Sequence, residues 1–264
     1  MISEDPKQLL DLAQSLARDA GTKALAGRKQ GLSDVGTKST ATDMVTEYDR
    51  ASEVLIVSGI TGARPQDSIV GEEGTSRVGT SGITWFVDPI DGTTNFFYDL
   101  PGWCVSIGIA DANGPLCAVV YIPPLDEMFT AVRGQGARLN GAPIHCGEVD
   151  EVSKALVCTG FNYDARNRIA QAARIHSFID VVRDVRRFGA AAIDMCYVAC
   201  GRLDAYYEEY LWPWDYTAGD LIAREAGCRT GNIRGGVIDD RDVLVANPSL
   251  FPLMVDLIRE SESN

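Results

Sequence analysis

From about residue 153 the chain falls into a repeating order. Apolar runs of strand length at 155–158, 182–186 and 205–207 are separated by helical periodicities at 166–181, 190–200 and 216–226. Strands that alternate with helices bury both faces of a sheet, which is an α/β arrangement. The preceding half reads differently. Leu9, Leu12, Ala13, Leu16, Ala17 and Ala20 recur at helical spacing over 5–27, with Asp5 as cap and Pro6 in the first turn. The Gly-, Ser- and Thr-rich stretch 31–42 predicts a loop or hairpin, and a second helix is expected from Thr42 or Asp43. Strands are predicted at 68–71 and at 84–87, the latter broken by Asp88-Pro89. Three more, at 104–110, 116–121 and 127–132, are separated by Gly, Pro and Asn turns and predict an antiparallel meander, with Asn140-Gly141 as a tight hairpin. The expectation is an α+β subdomain over 1–150 and an α/β subdomain over 151–264, packed as one unit because no linker or repeat divides them.

The 264 residues are 45% hydrophobic, enough to fill a large core. The net charge of −13 removes any long-range attraction to nucleic acid or to an anionic membrane. An anionic substrate would need the sign reversed locally, and bound divalent cations do that. The seven cysteines form no Cys-x-x-Cys pair and mostly sit in apolar runs. They are expected to be reduced, with Cys196 and Cys200 as core thiols and not a metal pair, and that favours the cytoplasm. The N-terminus lacks the basic and apolar regions of a signal peptide, and no apolar run approaches membrane-spanning length.

Acidic residues cluster at Asp43-Met44-Val45-Thr46-Glu47-Tyr48-Asp49, at Glu72-Glu73 and at Asp88-Pro89-Ile90-Asp91-Gly92-Thr93-Thr94-Asn95; Asp215 follows Trp212-Pro213-Trp214. Pro89 pushes Asp88 out of helical geometry, so Asp88 and Asp91 can converge with the Ile90 carbonyl between them. Such hard oxygens suit Mg²⁺, Mn²⁺ or Ca²⁺, and with only two histidines a zinc site is disfavoured. Gly92 lets a phosphate approach the backbone, and amides at a helix start there would hold it. Each piece has an ordinary reading beside the functional one. Asp88–Asn95 could be a capped turn, Glu72-Glu73 a solvated loop, Asp49 an exposed helical residue pairing with Arg50 or Lys38, and Asp215 an N-cap.

Taken together, Gly71-Glu72-Glu73, Asp88-Pro89-Ile90-Asp91-Gly92-Thr93-Thr94-Asn95-Phe96, Trp214-Asp215 and Glu225-Ala226-Gly227 resemble the inositol monophosphatase family, with Lys38-Ser39 and Asp43-x-Val45-Thr46-x-x-Asp49 matching upstream. The resemblance implies a layered α/β/α/β/α sandwich of the sugar phosphatase (inositol monophosphatase/fructose-1,6-bisphosphatase-like) type, usually a homodimer. It implies two to three Mg²⁺ ions, with Mn²⁺ possible. Glu72, Asp88 and the Ile90 carbonyl would bind one, and Asp88, Asp91 and Asp215 a second. Glu72 would contribute to a third. Asp49 and Thr93 would orient or deprotonate water, and the Gly92 and Thr93 amides would hold phosphate. Glu208 and the Ala191 backbone would contact substrate hydroxyls, although Glu208 also reads as a strand-end carboxylate. Leu211-Trp212-Pro213-Trp214-Asp215 is bulkier than the usual pattern, and Gly227-Cys228 replaces a Gly-Gly, so the lip near Asp215 is expected to differ.

The implied reaction is hydrolysis of a small polyol or sugar phosphate, with inositol 1-phosphate first. The alternatives are histidinol phosphate, fructose 1,6-bisphosphate and 3′-phosphonucleotides. A bisphosphate would need extra cations, and Arg183, Arg186 and Arg187 are the candidates. Two non-enzymatic readings stand beside it: a regulatory partner of the transcription machinery, and a structural Ca²⁺ site.

Overall fold

The computed structural model describes residues 5–32, 34–38, 40, 43–238 and 241–261. Ser39 and Thr42, used in the sequence argument, lie outside the described residues. Asp5 caps α1 (Pro6–Arg28), its carboxylate accepting from the Lys7 N–H at 3.0 Å. The hairpin is β1 (Val35–Thr37) paired antiparallel with β2 (Met44–Thr46). The second helix begins later than the apolar spacing suggested, as α2 (Glu47–Ala63). A reciprocal cap fixes that start: the Tyr48 N–H donates to Thr46 Oγ1 at 3.2 Å, and the Thr46 N–H donates to Asp49 at 2.8 Å.

β3 (Ser68–Gly71), β4 (Ser76–Arg77) and β5 (Thr84–Asp91) lead into α3 (Thr93–Phe97), and then the meander β6 (Cys104–Asp111), β7 (Gly114–Ile122), β8 (Glu127–Val132), β9 (Ala137–Leu139) and β10 (Ala142–Pro143). They form one eight-stranded sheet in the order β10-β9-β8-β7-β6-β5-β3-β4. β9 and β10 join through Asn140-Gly141, both at positive φ, 47° and 81°, which suits a two-residue hairpin. One expectation fails here: β5 runs through Asp88-Pro89 to Asp91. Its partner β3 ends at Gly71 opposite Val87, so the missing Pro89 N–H breaks no ladder bond on that side. On the other side Asp88 pairs with Ser106 and Asp91 with Cys104, so three steps on β5 face two on β6 and the difference is taken up as a bulge.

The C-terminal half follows as β11 (Leu156–Thr159), α4 (Ala165–Phe178), β12 (Asp184–Arg186), α5 (Ala191–Ala199), β13 (Ala205–Glu208), α6 (Pro213–Glu225), β14 (Arg229–Gly231), β15 (Val243–Ala246) and α7 (Leu250–Ser261). Its sheet has the order β12-β11-β13-β15-β14, with β11 parallel to β12 and β13. The strands carry their apolar residues with period two, and each face meets a different helical layer. On β7, Cys117, Val119 and Tyr121 join Leu9, Leu16, Ile56 and Ile60 of α1 and α2, while Ala118, Val120 and Ile122 join Ile193 and Met195 of α5 and Leu221 of α6. On β15, Val243 and Val245 face that same middle layer, while Leu244 and Ala246 face Phe178 of α4 and Phe251 and Met254 of α7. The result is a layered α/β/α/β/α sandwich. All seven cysteines are free thiols, and no described helix is long and apolar enough to cross a membrane.

Candidate active site

A cleft of about 620 Å³ opens where β3 and β5 end against the starts of α5 and α6. Glu72, Asp88, Ile90, Asp91, Gly92 and Thr93 line one side, and Ala191, Glu208, Trp214 and Asp215 the other. The residues singled out from the sequence are therefore brought together, except that Asp49 sits behind the lining. Parallel pairing of β3 with β5 places Glu72 beside Asp88, the Glu72 N–H donating to the Val87 carbonyl at 3.1 Å. The bulge turns Asp88 and Asp91 to the same cleft. Asp215 is not an N-cap. Trp212 occupies that position, and Asp215, third residue of α6, accepts the Trp212 N–H at 2.6 Å.

The electrostatics of the group are those of like charges confined together. Burial, and then the Glu72, Asp91 and Asp215 charges, push Asp88 well above the usual carboxylate range. Burial likewise raises Asp91 to about 7, against the pull of the Ala192 N–H, which donates to it at 2.7 Å. Asp215 and Glu72 are raised by the same burial. The cation beside them is Lys38, which donates to Glu72 at 2.8 Å and to Glu73 at 2.5 Å. Burial works against the Lys38 charge, but the two glutamates hold its pKa above the ordinary lysine value.

Asp49 is fully buried, so the exposed pairing with Arg50 or Lys38 does not form; Arg50 pairs with Asp34 instead. Asp49 accepts hydrogen bonds from the Thr46 hydroxyl at 2.5 Å and from the Thr93 hydroxyl at 3.1 Å. Burial, opposed by the Thr46 bonds, raises its pKa to about 6. Thr93 Oγ1 also lies 3.2 Å from the Ile90 carbonyl. Gly92 has φ of +91°, and a β-carbon there would sit 2.8 Å from the Gly102 carbonyl, so the turn requires glycine. The first amides of α5 face the carboxylate cluster. Ala192, with Ala191 beside it, points its N–H at Asp91. Glu208 ends β13 and lines the cleft, accepting from the Tyr206 hydroxyl at 2.8 Å; burial lifts it to about 7.

Sequence reasoning missed Glu53. It accepts from the Glu73 N–H at 2.7 Å, the Thr75 N–H at 3.0 Å and the Thr75 hydroxyl at 2.6 Å, and so holds the turn that presents Glu72. Its signal was positional, because Glu53 shares the buried stripe of α2 with Asp49, Ile56 and Ile60. At the lip, Trp212 stacks on Trp214 at 5.5 Å and 18°, with the Arg241 guanidinium 3.5 Å from the Trp212 ring.

The donors fit a hard divalent cation. They are carboxylates and one carbonyl, without imidazole, and Glu72 Oε2 is buried with no hydrogen-bond partner. Among the described residues no three of these side chains already stand as a closed ligand cage. Their oxygens instead take up Lys38 and the N–H groups of Ile90, Ala192 and Trp212.

Residues 5–263 match the Inositol monophosphatase family. An inositol-1-monophosphatase of Mycobacterium leprae is 39% identical over 261 residues, 92% of this chain and 90% of the relative. The Nus factor SuhB of Salmonella typhimurium is 35% identical and covers 97% of both chains. The crystal structure of extragenic suppressor protein suhB from Bartonella henselae superposes with a TM-score of 0.91 at 30% identity, covering 96% of this chain and 99% of that one.

Proposed function

The chain belongs to the inositol monophosphatase family and is a phosphoric monoester hydrolase, and we propose that it acts on a small polyol or sugar phosphate, inositol 1-phosphate first, at the cluster Glu72, Asp88, Asp91 and Asp215. The observation that carries this reading is the convergence of those four carboxylates on one cleft, beside Gly92 and Thr93, in a pattern of burial that calls for added positive charge. The family is generally metal-dependent. In this chain Glu72, Asp88, the Ile90 carbonyl, Asp91 and Asp215 would hold two to three Mg²⁺ ions, with Mn²⁺ as a substitute. Bound there, Mg²⁺ supplies the charge that offsets carboxylates and phosphate and makes water more acidic.

The chain's own groups do the rest. The Thr93 proton is committed to Asp49 or to the Ile90 carbonyl, so its lone pairs are free to accept a hydrogen bond from water and aim that oxygen at phosphorus. Asp49, locked by Thr46, fixes the Thr93 rotamer. The Gly92 turn brings backbone N–H groups to the phosphate. Water oxygen bonds to phosphorus as the ester P–O bond breaks; of the two water protons, one ends on the leaving oxygen, which departs as an alcohol, and the other stays with the inorganic phosphate. Glu208 would accept hydroxyl protons of a polyol.

The test is a phosphate-release panel with Mg²⁺ on inositol 1-phosphate, histidinol phosphate, fructose 1,6-bisphosphate and adenosine 3′,5′-bisphosphate. Turnover of at least one is expected, and no release from any with varied metal would remove the proposal. The likeness to a protein named Nus factor SuhB favours a second reading, a role beside the transcription machinery. Co-purification with RNA polymerase by the Asp91→Asn variant would test that role apart from catalysis.

A further inference from the structure

Cys146 lies in the connection between the two sheets, after β10 and before β11, and Cys228 follows the end of α6. The last turn of α6 anchors both backbones. It closes through Gly227, at φ of +90°, whose N–H donates to the Arg224 carbonyl at 3.0 Å, while the Cys228 N–H donates to the Ala223 carbonyl at 2.9 Å. The Ala226 carbonyl in the same turn accepts the Cys146 N–H at 3.0 Å. A β-carbon on Gly227 would stand 3.8 Å from Cys146 Sγ, so that sulfur lies over the turn. There the two thiols share a hydrogen bond.

The pair is asymmetric. Cys146 is half-buried and reaches solvent, whereas Cys228 is 8% exposed and belongs to the core around the middle helical layer. The Cys228 hydrogen bond holds the Cys146 thiol down at about 7, against its own burial and the Glu148 charge. The same contact, and then burial, push Cys228 up. One sulfur is thus a reactive thiolate at neutral pH and the other its protonated neighbour. The remaining thiols are placed differently. Cys104, Cys117, Cys158 and Cys196 are buried, and Cys200 Sγ donates to the Tyr197 carbonyl at 3.6 Å. Hydrolysis has no use for the pair, because the 13 residues of α6, about 20 Å of helix, separate it from Asp215.

We propose that Cys146 and Cys228 form a reversible oxidation site, in which hydrogen peroxide oxidises Cys146 and Cys228 resolves it as a disulfide that clasps α6 to the connection between the sheets. The Cys146 thiolate attacks one peroxide oxygen. The S–O bond forms, the O–O bond breaks, and the departing hydroxide takes up the proton that Cys146 had released. The Cys228 sulfur then attacks the sulfenic sulfur. The S–S bond forms, the S–O bond breaks, and hydroxide leaves with the Cys228 proton as a second water. Two thiols are oxidised and one peroxide is reduced to two waters. A dithiol reverses the step by exchange.

The test is peptide mapping of the whole chain after hydrogen peroxide, with remaining thiols blocked by N-ethylmaleimide in denaturant. The wild type should lose two of its seven thiols and give one linked peptide, Cys146 to Cys228, which dithiothreitol separates. Cys228→Ser should stop at a sulfenic acid on Cys146 that dimedone captures, and Cys146→Ser should form no disulfide. The oxidised wild type should melt at least about 4 °C above the reduced form, because the bond closes a long loop. The wild-type map and melt decide the matter even where a serine variant folds poorly. All seven thiols surviving a peroxide dose that oxidises glutathione, a bond formed by any other pair, or a Tm no higher after oxidation overturns the site.

Discussion

Asp49 serves two elements with two oxygens. One accepts the Thr46 groups that start α2, and the other accepts the Thr93 hydroxyl at the cleft. A residue that only aims water should affect turnover more than binding. Thr93→Val is expected to lower kcat about 100-fold while KM stays within about threefold, the usual scale for a side chain that positions the reacting water. Steady-state kinetics on the best substrate of the panel decide it, and a rise in KM alone would put Thr93 in binding. Asp194 offers a prediction of opposite sign. It is fully buried on α5, neither oxygen has a hydrogen-bond partner, and burial holds its pKa well above the ordinary value. The fold therefore favours the protonated acid. The stability this group contributes is complete below the unfolded pKa and is lost as pH rises toward the folded one. Asp194→Asn, neutral throughout, should raise Tm by about 2–4 °C at pH 8 and by less at pH 5. A lower Tm at pH 8 would mean that the folded protein stabilises the Asp194 carboxylate.

Between elements, Glu53 links α2 to the turn after β3. Glu53→Ala leaves two backbone N–H groups and a hydroxyl without their acceptor, at a cost of about 3 kcal/mol. Urea unfolding should read that loss, and Mg²⁺ affinity should fall with it, because Glu72 loses its support. The sequence made the two halves legible wherever period and punctuation agreed, as in β3, the meander and the Asn140-Gly141 hairpin. It misplaced the start of α2 because Val45, on the apolar spacing, sits in a strand that a side-chain cap terminates. It ended β5 early at Pro89, whose missing donor matters only where a neighbouring strand continues. It passed over Glu53 because an acid on an apolar stripe reads as an exception until its partners, twenty residues away, are known. Asp88, Asp91 and Glu72 were legible as candidates because a short local motif carries them.

At the scale of the whole molecule, two sheets share a middle layer of helices, and α5 and α6 from that layer point their first turns at the ends of β3 and β5. Cations bound at that junction would couple to the stability of the entire sandwich. Saturating Mg²⁺ should stabilise the wild type by about 2.7 kcal/mol at a hundredfold excess over Kd, and EDTA should reverse the gain. A melting curve indifferent to Mg²⁺ would separate the carboxylates from metal binding. Phosphate release from inositol 1-phosphate with Mg²⁺, comparing the wild type with Asp91→Asn, decides whether Asp88, Asp91, Glu72 and Asp215 form a hydrolytic centre. Turnover by the wild type is expected, with a loss of at least about 100-fold in the variant and its circular dichroism unchanged. Turnover retained by Asp91→Asn at close to the wild-type rate would contradict it.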